Sequence, residues 1–84
     1  MVATRPGIGC HPLADGALLY DPEREQVHHL NETAARIWEV LAHGGTADDA
    51  AATLCDRYEV DPERARADVA AVQAVWAAEG LLEL

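Results

Sequence analysis

Two short runs, residues 17–20 and 26–30, carry the two-residue rhythm of strands, and from Asn31 the apolar positions recur about every 3.6 residues instead. The first third of the chain is broken by Pro6, Gly7, Gly9, Pro12, Gly16 and Pro22. That spacing leaves no room for a long helix and favours short strands joined by turns. Asp21-Pro22-Glu23-Arg24 separates the two runs, and Pro22 pre-sets the backbone dihedral of a turn, so the pair reads as a hairpin. A further extended piece at residues 8–13 is expected to pair with it as a third strand.

Three helix starts follow. Asn31 is a good N-cap for a first helix with Ala34, Ile37, Trp38 and Leu41 on one face, ending at His43-Gly44-Gly45. Thr46 and Asp49 have the spacing of a capping box and open a second helix with Ala47, Ala50, Ala51, Leu54 and Tyr58 in register. Asp61 followed by Pro62 pairs an N-cap with a first-turn proline, and the third helix should run to about Glu79, with Gly80 as its stop. Its inward stripe is Ala65, Val69, Val72 and Trp76. So few residues separate the second helix from the third that they must cross sharply, as in a helix-turn-helix. The expected fold is α+β and winged-helix-like: an N-terminal three-stranded antiparallel sheet followed by three helices, in a single domain over residues 1–84.

Composition narrows the function. Fifteen acidic residues stand against six arginines, there is no lysine, and the formal net charge is −9. A specific DNA-binding surface needs about 6–10 cationic phosphate contacts, which this balance does not provide. A basic or weakly charged peptide suits the surface better, and nucleic acid is not an expected partner. No run approaches the ~18 apolar residues of a membrane span, and no basic-then-apolar signal segment opens the chain. With two unpaired-looking cysteines the chain reads as cytoplasmic, with reduced thiols and no membrane partner.

Missing residue types exclude whole chemistries. The chain has no serine, so serine hydrolysis and a prosthetic arm carried on serine both fall away, and without lysine there is no Schiff base and no P-loop. Cys55 lies toward the C-terminal end of its helix, where the dipole disfavours a thiolate, and reads as a packed cysteine. Cys10 adjoins His11 without an evident third group to orient the imidazole. Adjacent strand residues point to opposite faces, so His28 and His29 do not share one metal ion; His28 is expected to be partly packed beside Leu30, and His29 to sit with Val27. His43 suits the C-terminal dipole of the first helix. The acidic residues cluster at turns and helix starts, as Glu23, Glu25, Asp48, Asp49 and Glu63 do, and offer no paired carboxylates for acid–base work. Neither a catalytic residue, a metal site nor a cofactor is expected.

Specific residues then resemble a known family: Leu30-Asn31-Glu32-Thr33-Ala34-Ala35-Arg36-Ile37-Trp38, Tyr58-Glu59-Val60-Asp61-Pro62, Asp68-Val69 and the closing Gly80-Leu81-Leu82. Over residues 17–84 the chain resembles the PqqD-like proteins, named for pyrroloquinoline quinone biosynthesis protein D, and thereby the RiPP recognition element that holds the leader of a ribosomally made precursor peptide. The resemblance implies binding by strand addition at the edge of the third strand, with leader side chains entering a groove beside the third helix. Carried over to this chain, the edge strand is Val27, His28, His29 and Leu30, and the groove side of the third helix is Arg64, Asp68, Ala71 and Val75. The implied partners are a precursor leader peptide and a peptide-modifying enzyme, whether a radical enzyme, a protease or a cyclase. His28-His29 and Gln73 depart from the family pattern, which more often has apolar residues there. Two other readings share the fold: a winged-helix DNA-binding regulator, disfavoured by Asp61, Glu63, Asp68 and Glu79 around Arg64 and Arg66, and a structural subunit without a peptide ligand.

Overall fold

The computed structural model describes residues 3–83. Its elements are β1 (Ala3–Thr4), β2 (Gly9–Leu13), β3 (Gly16–Asp21), β4 (Gln26–Asn31), α1 (Glu32–Ala42), α2 (Ala47–Arg57), α3 (Pro62–Ala78) and β5 (Leu82–Glu83). Strands β2, β3 and β4 form an antiparallel sheet with β3 in the centre, and the three helices follow it, which is the α+β arrangement read from the sequence. The hairpin is one residue longer at each end of β3 than the periodicity predicts, and β4 gains Asn31. The short pairing of β1 with β5, Ala3 opposite Glu83 and Thr4 opposite Leu82, has no sequence signature, since two residues carry no period.

Each helix starts where its cap stands. The Asn31 side chain accepts from the Ala34 N–H at 2.8 Å. Thr46 and Asp49 exchange both bonds of a capping box, at 3.1 and 2.9 Å. Asp61 accepts from the Arg64 N–H at 3.0 Å, one residue before Pro62 opens α3. Such caps contribute typically ~1 kcal/mol each, so the three together are a substantial part of the stability of a domain this small.

The core lies between the sheet and the helices. Ala17, Leu19 and Leu30 point inward from the sheet onto Ile37, Trp38 and Leu41 of α1, and α2 and α3 add Leu54, Val69 and Trp76. Burial of each large aliphatic side chain stabilises by about 1.5–3 kcal/mol. Trp38 and Trp76 meet edge to face, with ring centres 5.3 Å apart and planes at 87°, joining α1 to α3. Ala35 rather than Ala34 takes the buried position on α1; Ala34 is half-buried. Leu81, fully buried, and Leu82 close the core from the chain's end. Gly16 is required where β3 meets β4, because a Cβ there would stand 1.9 Å from the Leu30 carbonyl oxygen.

Asp21 is wholly buried at the end of β3. Its Oδ1 accepts from the backbone N–H groups of Glu23 and Arg24 at 3.1 and 3.3 Å, shaping the turn, and its Oδ2 faces the Arg5 guanidinium. Burial pushes this carboxyl up, but the Arg24 N–H, the Arg5 guanidinium and the Glu23 N–H outweigh it and hold it below the ordinary Asp value. The unfolded chain therefore binds a proton at Asp21 more readily than the folded one. The stability that Asp21 supplies is complete above its unfolded value of about 3.9 and is lost as pH falls through the lower folded value. Thermal melts between pH 7 and 2.5 should show a steeper acid loss for the wild type than for Asp21→Asn, which is expected to be less stable at pH 7 and flatter in acid.

Candidate functional site

The third helix is packed on α2 and on β5 rather than along β4. It is tied to the hairpin at its C-terminal end. Arg24 of the β3–β4 turn donates to the Glu79 carbonyl at 2.8 Å, and His28 Nδ1 lies 2.6 Å from the Glu79 carboxylate. Gly80, with φ +75°, lets the chain turn directly beneath the Arg24 guanidinium. Ahead of this clasp α3 and β4 diverge, and a groove of about 540 Å³ opens between them.

The walls of the groove are Val27, His28, His29 and Leu30 on β4 and Ala71, Val75 and Glu79 on α3 and its cap, with Trp76 and Val72 beneath. Val27 and Val75, 61% and 55% exposed, are the two most exposed large apolar side chains among the described residues. Both stand at this groove. Among the described residues no strand lies beyond β4, so alternate N–H and C=O groups along its outer edge have no strand partner. An extended peptide laid on that edge would bond to the backbone and send every second side chain toward α3.

Six of the eight residues expected at the site, Val27, His28, His29, Leu30, Ala71 and Val75, line this one groove. Asp68 lies one step further on, in an adjoining hollow it shares with Asn31, Thr33, Ala34, Ile37, Ala71 and Val72. Arg64 stands apart from the groove, in a recess with Glu59, Val60, Asp61 and Asp68, where its guanidinium is 4.0 Å from the Asp68 carboxylate. Val72, Trp76, Ala34, Asn31 and Glu79 were not expected as lining residues. The first two belong to the inward stripe of α3, and a stripe residue at the edge of a core can floor a groove as well as fill a core.

His28 shares the inward face with Leu30, and its side chain is 15% exposed. Its Nε2 is shielded and has no hydrogen-bond partner. His43 Nδ1 lies 2.7 Å from the Glu39 carbonyl at the end of α1, the position suited to the helix dipole. Cys10 is exposed, and its thiol is pushed up, first by partial burial and then by the Glu39 carboxylate, which lowers its thiolate fraction. Cys55 is half-buried against the core. The described residues contain no group of three His, Cys, Asp or Glu side chains arranged to hold a metal ion, and no helix among them is long and apolar enough to cross a membrane.

A three-stranded antiparallel sheet with an open β4 edge, followed by three helices, is a fold of winged-helix type. The family model described as coenzyme PQQ synthesis protein D (PqqD) matches residues 16–82, and the chain belongs to that family. Three solved structures are similar. TbiB1 in complex with the TbiA(beta) leader peptide has 21% identity, covers 96% of this chain and 94% of that one, and gives a TM-score of 0.89. A lasso peptide synthetase B1 complexed with the leader peptide has 30% identity, covers 99% and 98%, and gives 0.87. The solution NMR structure of the PqqD truncation of Methylobacterium extorquens PqqCD, a functional and stand-alone RiPP recognition element, has 22% identity, covers 99% and 88%, and gives 0.79. No curated protein matches the chain significantly.

Proposed function

We propose that this chain binds the leader segment of a ribosomally made precursor peptide as an added strand on β4 and presents it to a peptide-modifying enzyme. The observation that carries the reading is the groove itself: an unpaired strand edge on one side and an apolar helix face on the other, with the most exposed valines of the described chain at its rim. Backbone bonds along β4 give affinity that does not depend on sequence, and the groove between His28, Val75 and Trp76 selects side chains. Membership of the PqqD family and a fold shared with two leader-peptide complexes support the same reading. The 30% identity to a lasso peptide synthetase B1 complexed with its leader peptide makes a leader of that kind the first ligand to test. The enzyme served is then one that acts on the precursor outside this chain, a protease, cyclase or radical enzyme. Among the described residues no Ser, Thr, Cys or Lys lines the groove, and the His28–Glu79 pair, 2.6 Å apart, stands in its wall.

Fluorescence anisotropy with labelled leaders from short reading frames beside the gene tests this, with a scrambled leader and a DNA duplex as controls. Saturable binding of one leader alone is expected. Salt-sensitive binding of the duplex with no response to any leader would replace this reading by the DNA-binding one.

A further inference from the structure

A pair of titratable side chains ties the two walls of the groove together. His28 on β4 and Glu79 at the cap of α3 both line it, with the imidazole Nδ1 2.6 Å from the carboxylate. An ionised carboxylate only accepts, so Nδ1 carries its hydrogen whether the ring is neutral or charged, and the proton at issue is the one on Nε2. That atom is shielded in the wall and has no partner. The two members of the pair differ in how much water they still hold: the His28 side chain is 15% exposed and that of Glu79 38%. Glu79 stands one turn beyond Val75 on the same side of the helix, so a ligand side chain seated on Val75 and Trp76 also covers the carboxylate. The leader therefore takes more water from the acid than from the base.

The other groups that face His28 decide which of them can answer that loss. Its neighbours on the same face of β4, Gln26 and Leu30, are uncharged, and Leu19 stands opposite it on β3. Asp21 lies on the diagonal, about 7–8 Å away, with its carboxylate already held by Arg5 and by the N–H groups of the turn. From α3 come Ala71, Val72, Val75 and Trp76, none of them charged. Arg24 reaches the end of the helix, but its bond goes to the Glu79 backbone carbonyl. His29 is next along the strand and points to the other face. Among the residues that line the groove, His28 is thus the group placed to set a positive charge against Glu79.

Resting on the leader-binding reading above, we propose that the His28–Glu79 pair couples leader binding to the uptake of one proton: the leader dries the Glu79 carboxylate, His28 answers by becoming an imidazolium, and the domain holds its leader more tightly in mild acid than in mild alkali. A lone carboxylate is costly to cover with apolar groups, whereas a carboxylate with a cation 2.6 Å away enters the complex as a neutral pair. The complex then binds the proton more firmly than the free domain does. It follows that the gain in affinity is complete at low pH and is lost as pH rises through the titration of the complex. Imidazoles change charge between roughly pH 5 and 8, which sets the range to search, and a single proton limits the change to about tenfold in affinity per pH unit. The fold holds in this window, because the acid loss at Asp21 begins only below about 3.9.

The test is an anisotropy titration of the rhodamine-labelled leader of the neighbouring precursor at intervals from pH 5.5 to 8, with any histidine of the leader replaced by glutamine. The wild type should bind ~10-fold more tightly at the acid end. Calorimetry at pH 7 in phosphate and in Tris, whose ionisation heats differ, should count an uptake of up to about one proton per leader bound. His28→Gln keeps an N–H to donate to Glu79 but cannot take the proton, and Glu79→Gln leaves no charge to be answered; both should show a flat pH profile and no uptake. Should His28→Gln melt before it can be titrated, Glu79→Gln carries the comparison. His29→Gln should keep the wild-type slope, whatever it does to the affinity itself. A wild-type profile that is flat, or that weakens in acid, would overturn the coupling and leave leader binding standing. A slope that survives in His28→Gln sinks it equally, by placing the proton elsewhere. If the wild type binds no leader at any of these pH values, the leader reading itself fails, and the coupling with it.

Discussion

Replacing Val75 by aspartate is expected to weaken leader binding by ~10- to 100-fold with little change in thermal stability. Burying a valine side chain contributes about 1.5–3 kcal/mol, and each 1.4 kcal/mol is a factor of ten in affinity. Val75 is 55% exposed in the free domain, so most of that burial is still to be made when a ligand enters the groove. A carboxylate at this site would also have to shed water against Val72 and Trp76 without an arginine in the groove to receive it. Anisotropy titration reads the affinity and a thermal melt reads the fold. Val75→Ala should fall between the two, because it removes two methyl groups and adds no charge. Unchanged leader affinity in Val75→Asp would remove the middle of α3 from the site.

The same residue marks how far the sequence can be read. The helix boundaries were legible because each is set by local chemistry: Asn31, Thr46 with Asp49, and Asp61 with Pro62 are caps whose bonds close within three residues. The hairpin was legible from its turn. The ties between distant parts of the chain carry no local signal. Arg5 meets Asp21, His28 meets Glu79, Arg24 meets the Glu79 carbonyl, and β1 meets β5, each between side chains or two-residue segments with no periodic partner. The α1 face was legible apart from its alanines, since Ala34 and Ala35 differ by one position and neither has the bulk to mark the core. On α3 the stripe Arg64, Asp68, Ala71 and Val75 follows helical spacing along the whole helix, whereas β4 gives way to α1 at Asn31, which lines the groove beside Ala71. The upper turns of the stripe therefore face the start of α1 and open solvent rather than a strand, and Arg64 stands outside the groove for that reason.

Trp76→Ala is expected to be the most damaging single change, because Trp76 belongs to both the core and the groove. Deleting a buried tryptophan side chain costs about 3–5 kcal/mol, against the 5–15 kcal/mol that holds a typical domain together. Urea denaturation should show a midpoint far below that of the wild type, with a fraction unfolded even without denaturant if the domain lies at the low end of that range. Trp38→Ala should cost a similar amount, since the two rings pack edge to face at 5.3 Å. Part of each loss is the same contact. An aromatic pair contributes about 0.5–1.5 kcal/mol beyond its buried area, so the double variant should fall short of additivity by that margin in a double-mutant cycle. The two positions separate by function. Trp38 does not line the groove, whereas Trp76 forms its floor. Trp76→Phe and Trp38→Phe, which keep most of the core volume, should therefore be alike in stability and unlike in leader affinity. Only the change at Trp76 lowers the floor beneath Val75 and removes surface from the bound strand. Equal leader affinity in the two phenylalanine variants would mean that the ligand rests on the rim of the groove and does not reach its floor.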